Sequence, residues 1–135
     1  MLEDWILKKK EVEASKSKLR GVDLSNAKLM GAKLDGADLT QADLTSAYLI
    51  KADLSKASLV DADLTQAVLS EANLLDADLD GAELMDSFLH GANLKGVVNL
   101  TCDQIKLANF DKDTVFPDYI TIHWTEDGYC ECQEQ

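Results

Sequence analysis

A leucine stands at every fifth position from Leu19 to Leu94, sixteen in an unbroken series. A strict internal period constrains architecture before any single residue does. On an α-helix, five residues turn the chain by about 500°, so successive leucines would rotate by roughly 140° and scatter around the whole surface. In an unbroken strand, an odd spacing would send every second leucine into water. Both conflicts vanish if the chain turns a corner within each five-residue unit. The leucine (position i) and the residue at i−2 then point inward as strand neighbours do, while i−1, i+1 and i+2 point outward.

The residue types agree with this assignment. The i−2 column reads Ser17, Val22, twelve alanines from Ala27 to Ala82, Ser87 and Ala92. The outward columns are mostly Asp, Asn, Lys, Ser, Thr, Gln and Gly. Gly21, Gly31, Gly36, Gly81, Gly91 and Gly96 all fall at i+2, where a tight bend favours them.

Units such as Ala37-Asp38-Leu39-Thr40-Gln41 and Ala72-Asn73-Leu74-Leu75-Asp76 resemble the pentapeptide repeat family, with its A-(D/N)-L-x-x pattern. The resemblance covers residues 17–96. It implies an all-β fold, a right-handed quadrilateral β-helix with four repeats per coil, leucines stacked on the axis and alanines beside them. The sixteen repeats would make four coils, and at ~4.8 Å per step a body roughly 19 Å tall.

At 135 residues there is room for one domain. The organisation expected is a capping helix over 1–16, the repeat body over 17–96, and an irregular coil, short helix and tail over 97–135. No apolar run approaches ~18 residues, so no membrane span is expected. The start, Met1 to Leu7, lacks the pattern of a signal peptide. Three cysteines, Cys102, Cys130 and Cys132, predict reduced thiols and a cytoplasmic location.

The net charge of −12 disfavours direct nucleic-acid binding. Its distribution is uneven. Residues 1–16 sum to zero, 17–96 to −6 and 97–135 to −6. Within the repeats the first coil carries +2, and the third and fourth carry −4 and −3.

An open solenoid exposes unpaired edges, so caps are expected at both ends. Leu2, Trp5 and Ile6, with Lys9 and Val12 further on, suggest an amphipathic helix covering the first coil. After Leu94 the phase slips by one at Lys95-Gly96-Val97, and centres are expected at Leu100, Ile105, Phe110, Val115 and Ile120. Thr101-Cys102-Asp103-Gln104 reads as a capping box opening a helix to about Leu107, which would replace one side of a distorted fifth coil. This stretch, Thr101 to Ile120, resembles the tails that follow the repeats in many bacterial members of the family. Thr121 to Trp124 suggest a covering strand, and Gly128 to Gln135 a frayed end.

Winding four repeats per coil sorts the outward residues onto four walls. The third, centred on Leu29, Leu49, Leu69 and Leu89, carries Lys28, Tyr48, Val68 and Phe88 at i−1 and Met30, Ile50, Ser70 and His90 at i+1. No other wall carries so much outward apolar area. A contiguous patch marks an interface unless a terminal segment covers it or it is simply tolerated. Met30, Tyr48, Ile50, Val68 and Phe88 are the candidate partner-binding residues.

The second wall stacks Asp23, Asp43, Asp63 and Glu83 one coil apart. Like charges at ~5 Å repel. The plain account is solvated carboxylates bonded to nearby backbone amides, and the sharper one is a row of acids imitating a phosphate track. Ser25, Thr45 and Thr65 stack beside them, but Met85 ends the array, a poor fit to ice binding.

No catalytic or metal site is expected. Cys130-x-Cys132 with His123 and Cys102 lacks the usual zinc-ligand spacing, and Asp111-Lys112-Asp113 is too short for a calcium loop. His90 has no evident nucleophile beside it. No cofactor is implied. The reading is a non-enzymatic interaction or scaffold module, monomeric or a homodimer, with a protein partner. The alternative, implied by the resemblance, is an acidic DNA mimic that binds DNA gyrase. Against it stand the short solenoid, the all-leucine centres and the basic first coil. Salt-sensitive association of the basic first coil with the acidic tail is a third possibility.

Overall fold

The computed structural model describes residues 3–135. Leu2, expected on the capping helix, lies outside them. The repeat body is held by parallel bridges between residues twenty apart, for example Asp23 to Asp43, Lys28 to Tyr48, Lys33 to Asp53 and Asp38 to Ser58. One coil is therefore four five-residue units. Each side contributes a single bridge before the chain turns. The body is thus a ladder of isolated bridges, and the named strands lie only in the C-terminal tail.

Each unit bonds to the coil below in a fixed pattern. Leu44 N–H donates to Asp63 O at 2.8 Å, Asp63 N–H returns a bond to Ala42 O at 3.0 Å, and Ser46 N–H donates to Thr65 O at 2.9 Å. A fourth bond, such as Ala47 N–H to Leu44 O at 3.0 Å, closes the corner. Backbone polar groups are satisfied while the side chains of i and i−2 fill the interior. Leu34 to Leu69 and Ala32 to Ala77 are at most 1% exposed. Ser87 is the polar residue buried in the alanine column, and its Oγ donates to Leu84 O at 2.9 Å.

All sixteen i+2 positions adopt left-handed backbone. Six are glycines, and ten are not, including Lys51, Lys56, Asp61 and Glu71, with φ near 60° throughout. Outside glycine such a conformation costs roughly 1 kcal/mol. It recurs because the coil closes only with a sharp turn there, and the inter-coil bonds hold it.

Helix α1 (Asp4–Ala14) covers the upper end. Val12 is the residue it buries, while Trp5 and Ile6 are half-buried. Its side chains also satisfy the open edge. Glu13 accepts from Lys33 N–H at 2.7 Å, and Lys9 Nζ donates to Met30 O at 3.3 Å.

At the lower end Val98 still pairs with Asp78, so the repeat phase survives past Gly96. The extra residue is Asn99, with φ 63°, which allows Leu100 to turn into the core. Helix α2 (Cys102–Lys106) follows, opened by the Thr101–Gln104 capping box. It replaces the second side of the fifth coil, and Gln104 Nε2 donates to Leu79 O and Ala82 O at 2.8 and 2.9 Å, standing in for lost ladder bonds. Ile105 fills the axis.

A second slip follows, which the period of five does not predict. Asn93 pairs with Val115, which is 48% exposed, so Val115 is an outward residue and not a core centre. Phe116 follows it inward. The cause is a turn one residue longer at Asp111–Thr114, where buried Thr114 Oγ1 donates to Leu89 O at 2.8 Å.

The tail also departs from expectation. Strand β1 (Ile120–Trp124) pairs antiparallel with β2 (Cys130–Glu134), so the segment expected to fray forms half of a hairpin. Cys102 and Cys132 are joined by a disulfide, and Cys130 alone is free, which corrects the expectation of three reduced thiols.

A candidate protein-binding wall

The third wall is assembled by the ladder itself. Lys28, Tyr48, Val68 and Phe88 are bridged in sequence, and Phe88 pairs on to Asn109 in the fifth coil. Because a parallel ladder stacks equivalent positions ~4.8 Å apart, the side chains form a continuous stripe. Tyr48 is 43% exposed and Phe88 39%, while Met30, Ile50 and Val68 are half-buried beside them. His90 stacks on Phe88 with ring centroids 6.2 Å apart.

Among the described residues, terminal segments reach this wall only at its ends. At the top Trp5 of α1 joins Lys28, Met30 and Tyr48 around a shallow apolar notch of about 210 Å³. Lys9 Nζ lies 5.8 Å from the Trp5 ring centre, a cation–π contact that orients the indole. At the foot, Trp124 meets Phe110 edge-on at 5.8 Å, and Lys112 Nζ lies over the Trp124 ring at 5.9 Å. The stripe between them is left uncovered by the described residues. Sequence periodicity found the stripe but missed its two aromatic ends, because Trp5 and Trp124 lie outside the repeats.

The second wall resolves differently. Asp23, Asp43, Asp63 and Glu83 do stack, but the three aspartates turn inward on their own backbone. Asp23 Oδ1 accepts from Ser25 N–H at 3.0 Å and Ser25 Oγ at 2.6 Å, and Asp43 and Asp63 accept from Thr45 and Thr65 N–H, each at 3.0 Å. The Ser25 hydroxyl, then its amide, hold the Asp23 carboxyl below its ordinary value, and the Thr65 hydroxyl does the same for Asp63 against a burial effect that raises it. The bond explains why short Asp or Asn suits this position. Asp53, Asn73 and Asn93 repeat it on the fourth wall.

The cysteine cluster cannot act as a four-ligand metal set. Cys102 and Cys132 are bonded to each other, and His123, which pairs with Glu131, lies on the opposite face of the hairpin from Cys130, which pairs with Trp124. Among the described residues no group of three or more His, Cys, Asp or Glu is arranged to hold a metal ion. One indentation that the repeat pattern does not predict is a cleft of about 480 Å³ between Ile105, Ala108 and Phe110 on one side and Cys130 and Cys132 on the other. It follows from a hairpin that the sequence pattern did not reveal.

A twenty-residue coil of four units with a leucine–alanine interior defines a pentapeptide solenoid. The family model for pentapeptide repeats matches residues 11–45, 23–61, 47–84 and 62–98, and the chain belongs to that family. Solved relatives include Rfr23 from the cyanobacterium Cyanothece 51142, 38% identical with TM-score 0.63 over 70% of this chain and 63% of that one. This chain therefore matches less than two thirds of the length of Rfr23. AT2G44920 from the Arabidopsis thaliana thylakoid lumen is 33% identical, with TM-score 0.61 over 81% of this chain and 72% of its own. The alr5209 protein of Nostoc Pcc 7120 is 28% identical, with TM-score 0.57 over 84% and 85% of the two chains. No functionally curated protein matches the chain.

Proposed function

We propose that the protein is a non-enzymatic interaction module, a right-handed quadrilateral rod whose third wall binds a protein partner. The sense of the coil is supported by the family likeness. The observation that carries the reading is the uncovered stripe of Met30, Tyr48, Ile50, Val68 and Phe88, in which two aromatic rings stand 43% and 39% exposed on a rigid ladder. Large aromatic side chains on a preorganised surface are effective anchors, because little conformational entropy is lost on binding. The DNA-mimic reading gains no comparable support: acceptance from the backbone amides of Ser25, Thr45 and Thr65 already accounts for aspartate at these positions of the second wall.

The test is affinity capture from the native extract with wild type, Tyr48→Asp/Phe88→Asp and Asp43→Lys/Asp63→Lys. A partner lost by the third-wall variant and kept by the second-wall variant supports the reading. The reverse pattern would replace it with the acidic wall.

As to location, the Cys102–Cys132 bond supports an oxidising compartment over the cytoplasm expected from free thiols. AT2G44920, a lumenal protein, gives that choice a precedent. Thiol trapping in intact cells tests it, and fully reduced cysteines would restore the cytoplasmic reading.

A further inference from the structure

The two ends of the third wall are complementary to each other. The upper notch is apolar, lined by Trp5, Met30 and Tyr48, and its rim carries Lys28, which forms no salt bridge among the described residues. The lower end has the opposite character. Trp124 packs on Phe110, which directly follows Asn109, the ladder partner of Phe88. The hairpin turn that continues from Trp124 therefore sits at the foot of this wall. It is closed by Thr125 N–H to Tyr129 O at 2.8 Å and Gly128 N–H to Thr125 O at 3.1 Å. It presents Glu126, Asp127 and Tyr129, the last 76% exposed. The turn itself carries no Lys or Arg, and the nearby Lys112 is engaged over the Trp124 ring at 5.9 Å.

Building on the third-wall reading, we infer that the partner is a second copy of this chain, packed antiparallel on that wall. A two-fold axis between Val68 and Phe88 places Glu126, Asp127 and Tyr129 of each copy at the Trp5–Met30–Tyr48 notch and Lys28 of the other. Tyr48, Val68 and Phe88 are enclosed between the two contacts. The alternative parallel pairing sets Lys28 against Lys28 and one acidic tip against the other, and like charges select against it. Pairing of this kind is isologous and closes at the dimer. Five coils give a wall only ~24 Å tall, so the contact belongs among small, concentration-dependent interfaces.

The experiment is sedimentation equilibrium of the full chain as a function of concentration, for wild type, Lys28→Glu, Glu126→Lys/Asp127→Lys and an equimolar mixture of the two variants. Wild type is expected to approach the dimer mass. Each variant alone is expected to associate at least about tenfold more weakly. The mixture restores opposite charges at both contacts and is expected to dimerise again. A wild type that stays monomeric, variants that dimerise as wild type does, or a mixture that stays monomeric overturns the inference. So does a mass that grows beyond the dimer, which signals open head-to-tail stacking. Tyr48→Asp/Phe88→Asp separates the two proposals. If it leaves dimerisation intact, the third wall is not the contact. If wild type is monomeric while this variant loses a heterologous partner in the capture experiment, only the self-pairing fails.

Discussion

The carboxylate of Glu134 accepts a hydrogen bond from the backbone N–H of Cys102 at 2.6 Å, joining the last strand to the first turn of α2 across thirty-two residues. The disulfide from the same Cys102 to Cys132 fixes the same two elements. Two further bonds tie the tail to the coil: Tyr119 Oη donates to Val97 O at 2.9 Å, and Leu100 N–H donates to Tyr119 Oη at 3.0 Å. Together they close the open end of the solenoid with a hairpin that the repeats themselves do not specify.

Removing the covalent link should therefore loosen the hairpin and little else. Closing a loop of about thirty residues is worth roughly 3–4 kcal/mol on chain-entropy grounds. In Cys130→Ser/Cys132→Ser, which also prevents re-pairing with Cys102, amide exchange over 120–134 is expected to rise by about a hundredfold or more. The ladder amides of Leu44 and Leu64 should keep their protection. Equal acceleration in both regions would show that the cap and the rod unfold as one unit.

Core substitutions should behave differently. Leu54 is fully buried midway along the axis, with coils above and below it that cannot collapse without breaking ladder bonds. Leu54→Ala is expected to cost about 2–5 kcal/mol, toward the upper part of that range. Leu19, which lies in the first coil with α1 above it, should tolerate the same change better. Chemical denaturation of the two variants checks the order, and a smaller loss at Leu54 would contradict a rigid, stacked interior.

The corners allow a sharper substitution test. Lys56 has φ 59° and an exposed side chain. Lys56→Gly removes the left-handed penalty and is expected to be neutral or to stabilise slightly, whereas Lys56→Val should destabilise by about 1–2 kcal/mol because a β-branched residue fits that conformation poorly. Equal effects of the two in thermal melts would argue against the left-handed corner.

These corners also mark what could be seen in the sequence. Period five, the leucine column and the alanine column were enough to place the interior and to sort the outward residues by wall. The left-handed turn was visible only where glycine stood at i+2, and Lys51, Lys56 and Glu71 gave no local sign of it. A local propensity was overridden there by closure of the whole coil. The lower end was harder for a related reason. Asn99 and the Asp111–Thr114 turn each add a residue, so register after Leu94 depends on which side chain can satisfy a buried carbonyl, as Thr114 does for Leu89. The Cys102–Cys132 pairing requires contact between α2 and β2, which no spacing rule supplies. The stripe of the third wall was legible residue by residue, whereas Trp5 and the acidic turn at its two ends needed the caps to be placed first.

Acid should weaken the rod through its aspartates. The Asp23, Asp38 and Asp63 carboxyls are held below their ordinary value of 3.8, chiefly by hydrogen bonds from Ser25, Thr40 and Thr65. A carboxyl whose value is lower in the folded chain binds its proton less readily there than when unfolded. Its stabilising contribution is complete above the unfolded value, about 3.9, and is lost as pH falls through the folded one. The melting temperature should thus hold steady from neutrality to about pH 4 and fall below it. Asp63→Asn keeps an oxygen that can accept from Thr65 N–H and removes the titration. The variant should therefore lose less than wild type between pH 5 and about pH 2.5. Parallel curves for the two proteins would place the acid-sensitive groups elsewhere, with Asp35, held low by Lys16 at 3.1 Å, the first to examine.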